Sequence, residues 1–244
     1  MRMTRVHVDA AMSPGASVAL PETAAVHLVR VLRLQPGDEC VLFNGDGNDY
    51  DARIIGVGKR SVEAMVTVAR ATDTESPLRI TLVQGIARGE KMDWILQKAT
   101  ELGVAGIVPV SSERSEVKLD AERAGKRLAH WRSVVVSACE QCGRARVPHV
   151  AAAQSLQAAL ADLPAVPRFL LDPQARQSIA SMSQPLADGT VLAVGPEGGW
   201  SPRDRDLLLE AGFSGLRLGP RILRTETAGI AAISALQSRF GDLN

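Results

Sequence analysis

The sequence predicts an α/β protein of two parts, a small β-barrel carrying one helix followed by a parallel α/β domain. Three observations predict it. Residues 1–72 place Val, Ile and Thr in short runs divided by Gly, Asn and Asp, which is the pattern of strands and turns. Residues 71–77, Ala-Thr-Asp-Thr-Glu-Ser-Pro, are polar and apolar-poor, as segments that link domains are. Beyond them short apolar runs alternate with longer helical periods, as in parallel α/β domains. The expected domains are therefore 1–72 and 73–244.

Within the first part, residues 40–43 and 50–57 form a hairpin around Asn44-Gly45-Asp46-Gly47-Asn48, whose glycines supply the positive φ of a tight reversal. Residues 61–70 are its third strand. Residues 21–34 read as a helix, with Val26, Val29 or Arg30, and Arg33 at helical spacing, stopped by Pro36-Gly37. In the second part, 78–84 is a strand. Residues 89–102 follow as a helix with Met92, Ile95, Leu96, Ala99 and Leu102 on one face and Gly103 as its stop. A strand at 107–110 precedes a helix over 120–142, which buries Leu128, Trp131, Val135, Ala138 and Cys142 in one stripe. Three more strands are expected at 169–171, 191–194 and 216–218, each followed by a loop.

Composition bounds the function. With 244 residues, 45% hydrophobic and only 3% aromatic, the chain can bury one large core or two modest ones. Lys+Arg 28 against Asp+Glu 27 excludes a globally basic nucleic-acid wrapper and a polyacidic tail. By region the balance is 8 against 8 over 1–72, 12 against 8 over 79–148, and 8 against 9 over 149–244, so the basic excess lies in the middle. It includes Lys91 and Lys98, seven apart and near one helix face, and it reads either as solvated surface or as phosphate contact. No apolar run approaches the roughly 18–20 residues of a membrane helix and the start has no signal-type stretch, so a cytoplasmic protein is expected. Three cysteines make no disulfide framework, which fits a reducing compartment. Cys139-x-x-Cys142 lies inside a helical stripe without a second pair, and no metal is expected. The histidines show no metal or triad spacing and no Gly-x-Ser-x-Gly elbow occurs, which leaves hydrolase chemistry without support.

Two loops carry the candidate chemistry. Val194 runs into Gly195-Pro196-Glu197-Gly198-Gly199-Trp200, and Ser201-Pro202 with Asp204 then caps the next helix. Glycines here let a ligand lie against bare backbone at the carboxyl end of a strand, where ligands of open α/β sheets bind. The second loop, Leu218-Gly219-Pro220-Arg221-Ile222-Leu223-Arg224-Thr225-Glu226, leads into an Ala/Ile-rich helix ending near Phe240. Thr225 and Glu226 suit capping, whereas Arg224 is a cation at the positive end of a helix dipole and needs a partner elsewhere, such as an anionic substrate.

These loops resemble the cofactor motifs of the RsmE family, SPOUT-superfamily methyltransferases that methylate N3 of uridine 1498 in 16S ribosomal RNA. The resemblance extends through 27–33 (His-Leu-Val-Arg-Val-Leu-Arg), Glu90-Lys91-Met92, Gln97-Lys98, Glu101-Leu102-Gly103, Ser112-Glu113-Arg114 and Glu140-Gln141-Cys142-Gly143-Arg144, and so covers essentially the whole chain. It implies a PUA-like N-terminal β-barrel over 1–72 and an α/β SPOUT domain with a C-terminal trefoil knot over 73–244. It further implies a homodimer, with S-adenosylmethionine as cofactor and 16S rRNA or the small ribosomal subunit as partner. The expected cofactor residues are Leu171, Gly195, Pro196, Glu197, Gly198, Gly199, Leu218, Gly219, Ile222, Leu223 and Thr225, with Leu171, Leu218, Ile222 and Leu223 packing on the adenine ring.

The reaction sets the rest. Uridine N3 is a poor nucleophile until it loses its proton, so a carboxylate base worth roughly 100- to 10,000-fold and an arginine near O2 or O4 are expected. Arg224 is the expected stabiliser and Glu226 or Glu140 the base. Arg114 and Arg144 place the RNA, while Arg5, His27, Arg30, Arg33, Lys91 and Lys98 are phosphate-contact candidates; His27 reads equally as a packed helix residue. The other readings are a SPOUT methyltransferase for another rRNA or tRNA position, and a non-catalytic RNA-binding assembly factor.

Overall fold

A computed structural model describes residues 3–30, 33–115, 121–183 and 185–243. Val31 and Leu32 of the expected helix 21–34, Asp120 at the head of the expected helix 120–142, and the side chains of His27 and Arg30 lie outside the described residues. The chain divides into two units, Met1–Glu75 with Cys139–Val147, and Ser76–Ala138 with Pro148–Asn244.

The first unit is a five-stranded sheet of order β1-β3-β4-β5-β2, built from β1 (Arg5–His7), β2 (Ser17–Ala19), β3 (Glu39–Phe43), β4 (Asn48–Val57) and β5 (Val62–Ala71). Only β1 with β3 is parallel; the other pairs are antiparallel. In β5, Val62, Ala64 and Val66 are buried while the residues between them are exposed, the period of two that puts one face on a core. Ala25 and Leu28 of α1 (Glu22–Arg30) join that core. The reversal between β3 and β4 has Gly45 at φ +91 and Gly47 at φ +98, a region L side chains rarely adopt.

The segment Cys139–Val147 was expected in the second domain but packs with the first unit. Its reason is side-chain chemistry. Phe43, Cys139 and Ala145 form a buried cluster. The Glu140 carboxylate accepts the His7 backbone N–H at 3.1 Å, and Arg144 donates to both Glu75 oxygens at 3.0 and 2.5 Å. Arg5 pairs with Asp49, donates to the Arg144 carbonyl at 3.1 Å and lies 4.9 Å over the Phe43 ring. The side chains of Arg5 and Arg144 are only 7% and 5% exposed. Arg5 was expected on RNA phosphates and Arg144 to place the RNA; both are instead held in internal ion pairs. Burial also pushes the Cys139 thiol up to about 12, so it stays protonated, and of the two cysteines of this helix Cys139 rather than Cys142 is buried.

The second unit is a parallel seven-stranded sheet of order β12-β10-β11-β6-β7-β8, with β9 also on β7. Its elements are β6 (Ile80–Gly85), α2 (Glu90–Glu101), β7 (Gly106–Ser111), α3 (Ala121–Cys142, whose last turn belongs to the first unit), β8 (His149–Val150), β9 (Gln154–Ser155), α4 (Leu156–Ala161), β10 (Arg168–Leu171), β11 (Thr190–Val194), α5 (Pro202–Glu210), β12 (Phe213–Leu216) and α6 (Thr225–Phe240). Strand β11 is buried along its whole length, as a strand covered on both faces must be. Ser201 and Asp204 form the expected capping box of α5, with Pro202 in its first turn. The strand expected at 216–218 lies earlier, because pairing with β10 ends at Leu171 opposite Leu216 and leaves Leu218 in the loop beyond. From edge strand β12 the chain returns to pack α6 on α2 and β11, and the buried Gln237 amide donates to the Leu102 carbonyl at 2.9 Å and accepts from Ser76 at 2.6 Å.

Two packing features set expected outcomes. Asp49→Ala leaves the Arg5 charge buried and unpaired, so urea denaturation should show a loss of about 3–5 kcal/mol; a loss below about 1 kcal/mol, the scale of an exposed pair, would place the pair in solvent. At Gly85 an added Cβ would stand 2.5 Å from Pro196 Cδ and 2.6 Å from its backbone nitrogen. Gly85→Ala is therefore expected to cost about 1–3 kcal/mol by overpacking and to lower the melting temperature.

Candidate active site

Parallel pairing brings the carboxyl ends of β10, β11 and β12 to one edge. There the loops at 195–200 and 217–224 face the turn after β10 across a cavity of about 700 Å³, within the roughly 300–1,000 Å³ usual for small-molecule sites. The two loops are tied by a hydrogen bond, the Thr225 hydroxyl donating to the Gly195 carbonyl at 2.6 Å. Thr225 was expected to cap α6. The N-cap is Arg224, without a side-chain bond, and Thr225 in the first turn holds the neighbouring loop instead.

The first loop folds back on itself. Gly199 donates to the Pro196 carbonyl at 2.8 Å, and a Cβ at Gly195 would stand 3.1 Å from the backbone of Gly199 and Trp200. A Cβ at Gly198 would stand 3.1 Å from Arg114, whose guanidinium donates to the Gly198 carbonyl at 3.0 Å. Glu197 accepts from the Arg88 N–H and from Lys91 Nζ, each at 3.1 Å. Burial pushes the Glu197 carboxyl up, but hydrogen bonds from its own and the Arg88 backbone, with Lys91, outweigh this and hold it below the ordinary glutamate value. Its carboxylate is therefore ionised at neutral pH.

Leu171, Gly195, Pro196, Glu197, Gly198, Gly199, Leu218, Gly219, Ile222, Leu223 and Thr225 all line the cavity, as do Arg224, Lys91 and Arg114. Ile222 is 85% exposed, so its side chain stands in the mouth rather than packed in the wall. The expected bases do not line it. Glu226 is absent from the cavity lining although Arg224 and Thr225 belong to it, and its Oε2 is buried with no hydrogen-bond partner among the described residues. Glu140 belongs to the first unit. Lys98 pairs with Glu101 on its own helix, and Arg33 is an exposed residue at φ +57.

The sequence reading missed Asp172 and Arg205, an ion pair at 2.6 Å on the cavity wall, and Trp200, whose buried Nε1 has no partner among the described residues. Asp172 directly follows a strand, which is the signal that points to it; Arg205 has none, since only the packing of α5 brings it to β10. Among the described residues no group of three or more His, Cys, Asp or Glu is placed to hold a metal, and no helix is long and apolar enough to cross a membrane.

A family model described as an RNA methyltransferase domain matches residues 74–237, and one described as an RNA methyltransferase PUA domain matches 20–66. A ribosomal RNA small subunit methyltransferase E from Buchnera aphidicola subsp. Schizaphis graminum is 32% identical over 250 residues, spanning 100% of this chain and 99% of that one. The crystal structure of a ribosomal RNA small subunit methyltransferase E from Neisseria gonorrhoeae bound to S-adenosyl methionine has a TM-score of 0.92 at 41% identity, with 100% of each chain covered. A Legionella pneumophila structure described as a methyltransferase with bound cofactor SAM has a TM-score of 0.94 at 37% identity, again over 100% of each chain. With a PUA-like first domain, a parallel α/β second domain and this strand-end cavity, the chain belongs to the ribosomal RNA small subunit methyltransferase E family of SPOUT-type RNA methyltransferases.

Proposed function

We propose that the chain transfers the methyl group of S-adenosylmethionine to N3 of a uridine in 16S ribosomal RNA, the position numbered 1498, and that it works as a cytoplasmic homodimer. The observation that carries this reading is the junction of the two strand-end loops. The Thr225–Gly195 hydrogen bond closes one wall of a cavity of cofactor size, and the neighbouring Arg224 is exposed on that wall.

The residues present fit the cofactor. Backbone at Gly199 and Gly219, where an added Cβ would meet nothing, leaves room and polar groups for the adenosine and amino-acid ends, and Leu171, Leu216, Leu218 and Leu223 offer an apolar face for a purine. The spare Trp200 N–H is a further donor. When bound, S-adenosylmethionine supplies a methyl group already activated by its positive sulfur.

The chain's own task is to make N3 anionic. Among the described residues the carboxylates that line the cavity are Asp172 and Glu197, and each is held in an ion pair. Neither is free to take a proton, so the N3 proton leaves to solvent while Arg224 stabilises the charge spread over O2, N3 and O4. Arg33, Lys91, Lys98 and Arg114 are the proposed phosphate contacts on the RNA.

Arg224→Ala should lower kcat for methyl transfer to small-subunit RNA by about 100- to 1,000-fold, with cofactor affinity unchanged by calorimetry. Near-normal turnover would remove Arg224 from the role. Because the proton goes to solvent, kcat/KM should climb steadily with pH toward the ionisation of uridine itself; a plateau near neutrality would reveal a dedicated base. Mapping methylated nucleotides in RNA from cells with and without the gene tests the substrate. A mark lost from transfer RNA instead would reassign it, and RNA binding without cofactor binding would make the chain a non-catalytic factor.

A further inference from the structure

Gln84 is a wholly buried amide near the end of β6, beside Leu82 and Val83. An amide so placed costs about 1–3 kcal/mol for a group left unpaired, and here the Oε1 has no partner among the described residues while the Nε2 is satisfied. Its Nε2 donates to the Gly85 carbonyl at 2.8 Å and to Thr225 Oγ1 at 3.1 Å. The carbonyl can only accept, which fixes the amide with its nitrogen toward Thr225. With its oxygen occupied as an acceptor, the Thr225 hydroxyl directs its own hydrogen to the Gly195 carbonyl.

The result is a relay from amide to hydroxyl to carbonyl that joins β6, the first turn of α6 and the loop after β11. Close approach of β6 to the loop after β11 depends on a missing side chain: a Cβ at Gly85 would strike Pro196, whereas one at Gly229 would make only ordinary contact, 3.7 Å from Val194 and 3.8 Å from Gln84 Oε1. Gln84 does not line the cavity, so it reaches any ligand there only through Thr225.

We infer that Gln84 is a positioning residue: by orienting the Thr225 hydroxyl it sets the separation of the two cofactor loops, and hence the affinity for S-adenosylmethionine. This rests on the reading of the cavity given above. The test measures cofactor binding by calorimetry and melting temperature without cofactor, for the wild type, Gln84→Met, Thr225→Val, Thr225→Ser and the double variant Gln84→Met/Thr225→Val. The first two variants should each weaken binding by about 10-fold or more. Thr225→Ser, which keeps the hydroxyl, should bind nearly as the wild type does. Because both groups serve one relay, the double variant should lose no more than the worse single variant.

Unchanged binding by Gln84→Met, or losses that multiply in the double variant, would overturn the inference. So would a fall in melting temperature with no change in affinity, the mark of a merely structural amide. Should Gln84→Met fail to fold, equal affinities for Thr225→Val and Thr225→Ser would overturn it alone. Failure of the wild type to bind the cofactor would instead overturn the reading of the cavity, and this inference with it.

Discussion

Parallel pairing in the order β12, β10, β11 and β6 puts four strand ends on one edge, and one hydroxyl-to-carbonyl bond, Thr225 to Gly195, makes that edge a site. Separately each loop is only an exit from a strand. Held together, they share a wall, and the turn after β10 supplies the wall opposite, pinned by the Asp172 N–H to the Leu216 carbonyl at 3.0 Å. Gly85 lets the first loop lie against β6 and Gly195 lets that loop fold back on itself, because a Cβ on Gly85 would stand 2.5 Å from Pro196 and one on Gly195 3.1 Å from the backbone of Gly199 and Trp200. Side-chain chemistry follows that geometry rather than creating it.

Charge in the second unit is spent in two ways. Lys91 neutralises Glu197 and Arg205 neutralises Asp172, so the two carboxylates of the cavity are occupied. Arg221 and Arg224 lie in the same loop, both exposed. A chain whose formal charge is only +1 thus has a cationic mouth to this cavity, because the two carboxylates that line it among the described residues are paired with other cations. In the first unit Arg5 and Arg144 go the other way, joining Asp49 and Glu75 inside the fold, where Arg5 also donates to the Arg144 carbonyl. Counting basic residues along the chain gives these four arginines equal weight; burial separates them.

Much of the scaffold was legible because its signals are local. The capping box at Ser201 and Asp204, the positive-φ glycines between β3 and β4, and the apolar stripe of α2 at Met92, Ile95, Leu96 and Ala99 each arise within a few residues of chain. Strands of two or three residues such as β1, β8 and β9 carry too few side chains to show a period. Strand β12 moved toward the N-terminus because its limits come from its partner, not from its own apolar run.

By itself the sequence determined the two kinds of domain and the two glycine-rich turns that carry the chemistry, since φ preference, capping and periodicity act between near neighbours. Only the tertiary structure decided that Gln84 holds Thr225, that Asp172 meets Arg205, that Glu226 is not among the residues lining the cavity and that Cys139–Val147 joins the first unit. Those outcomes depend on contacts between residues far apart in the chain, where desolvation and close packing, rather than residue type, set what each group does.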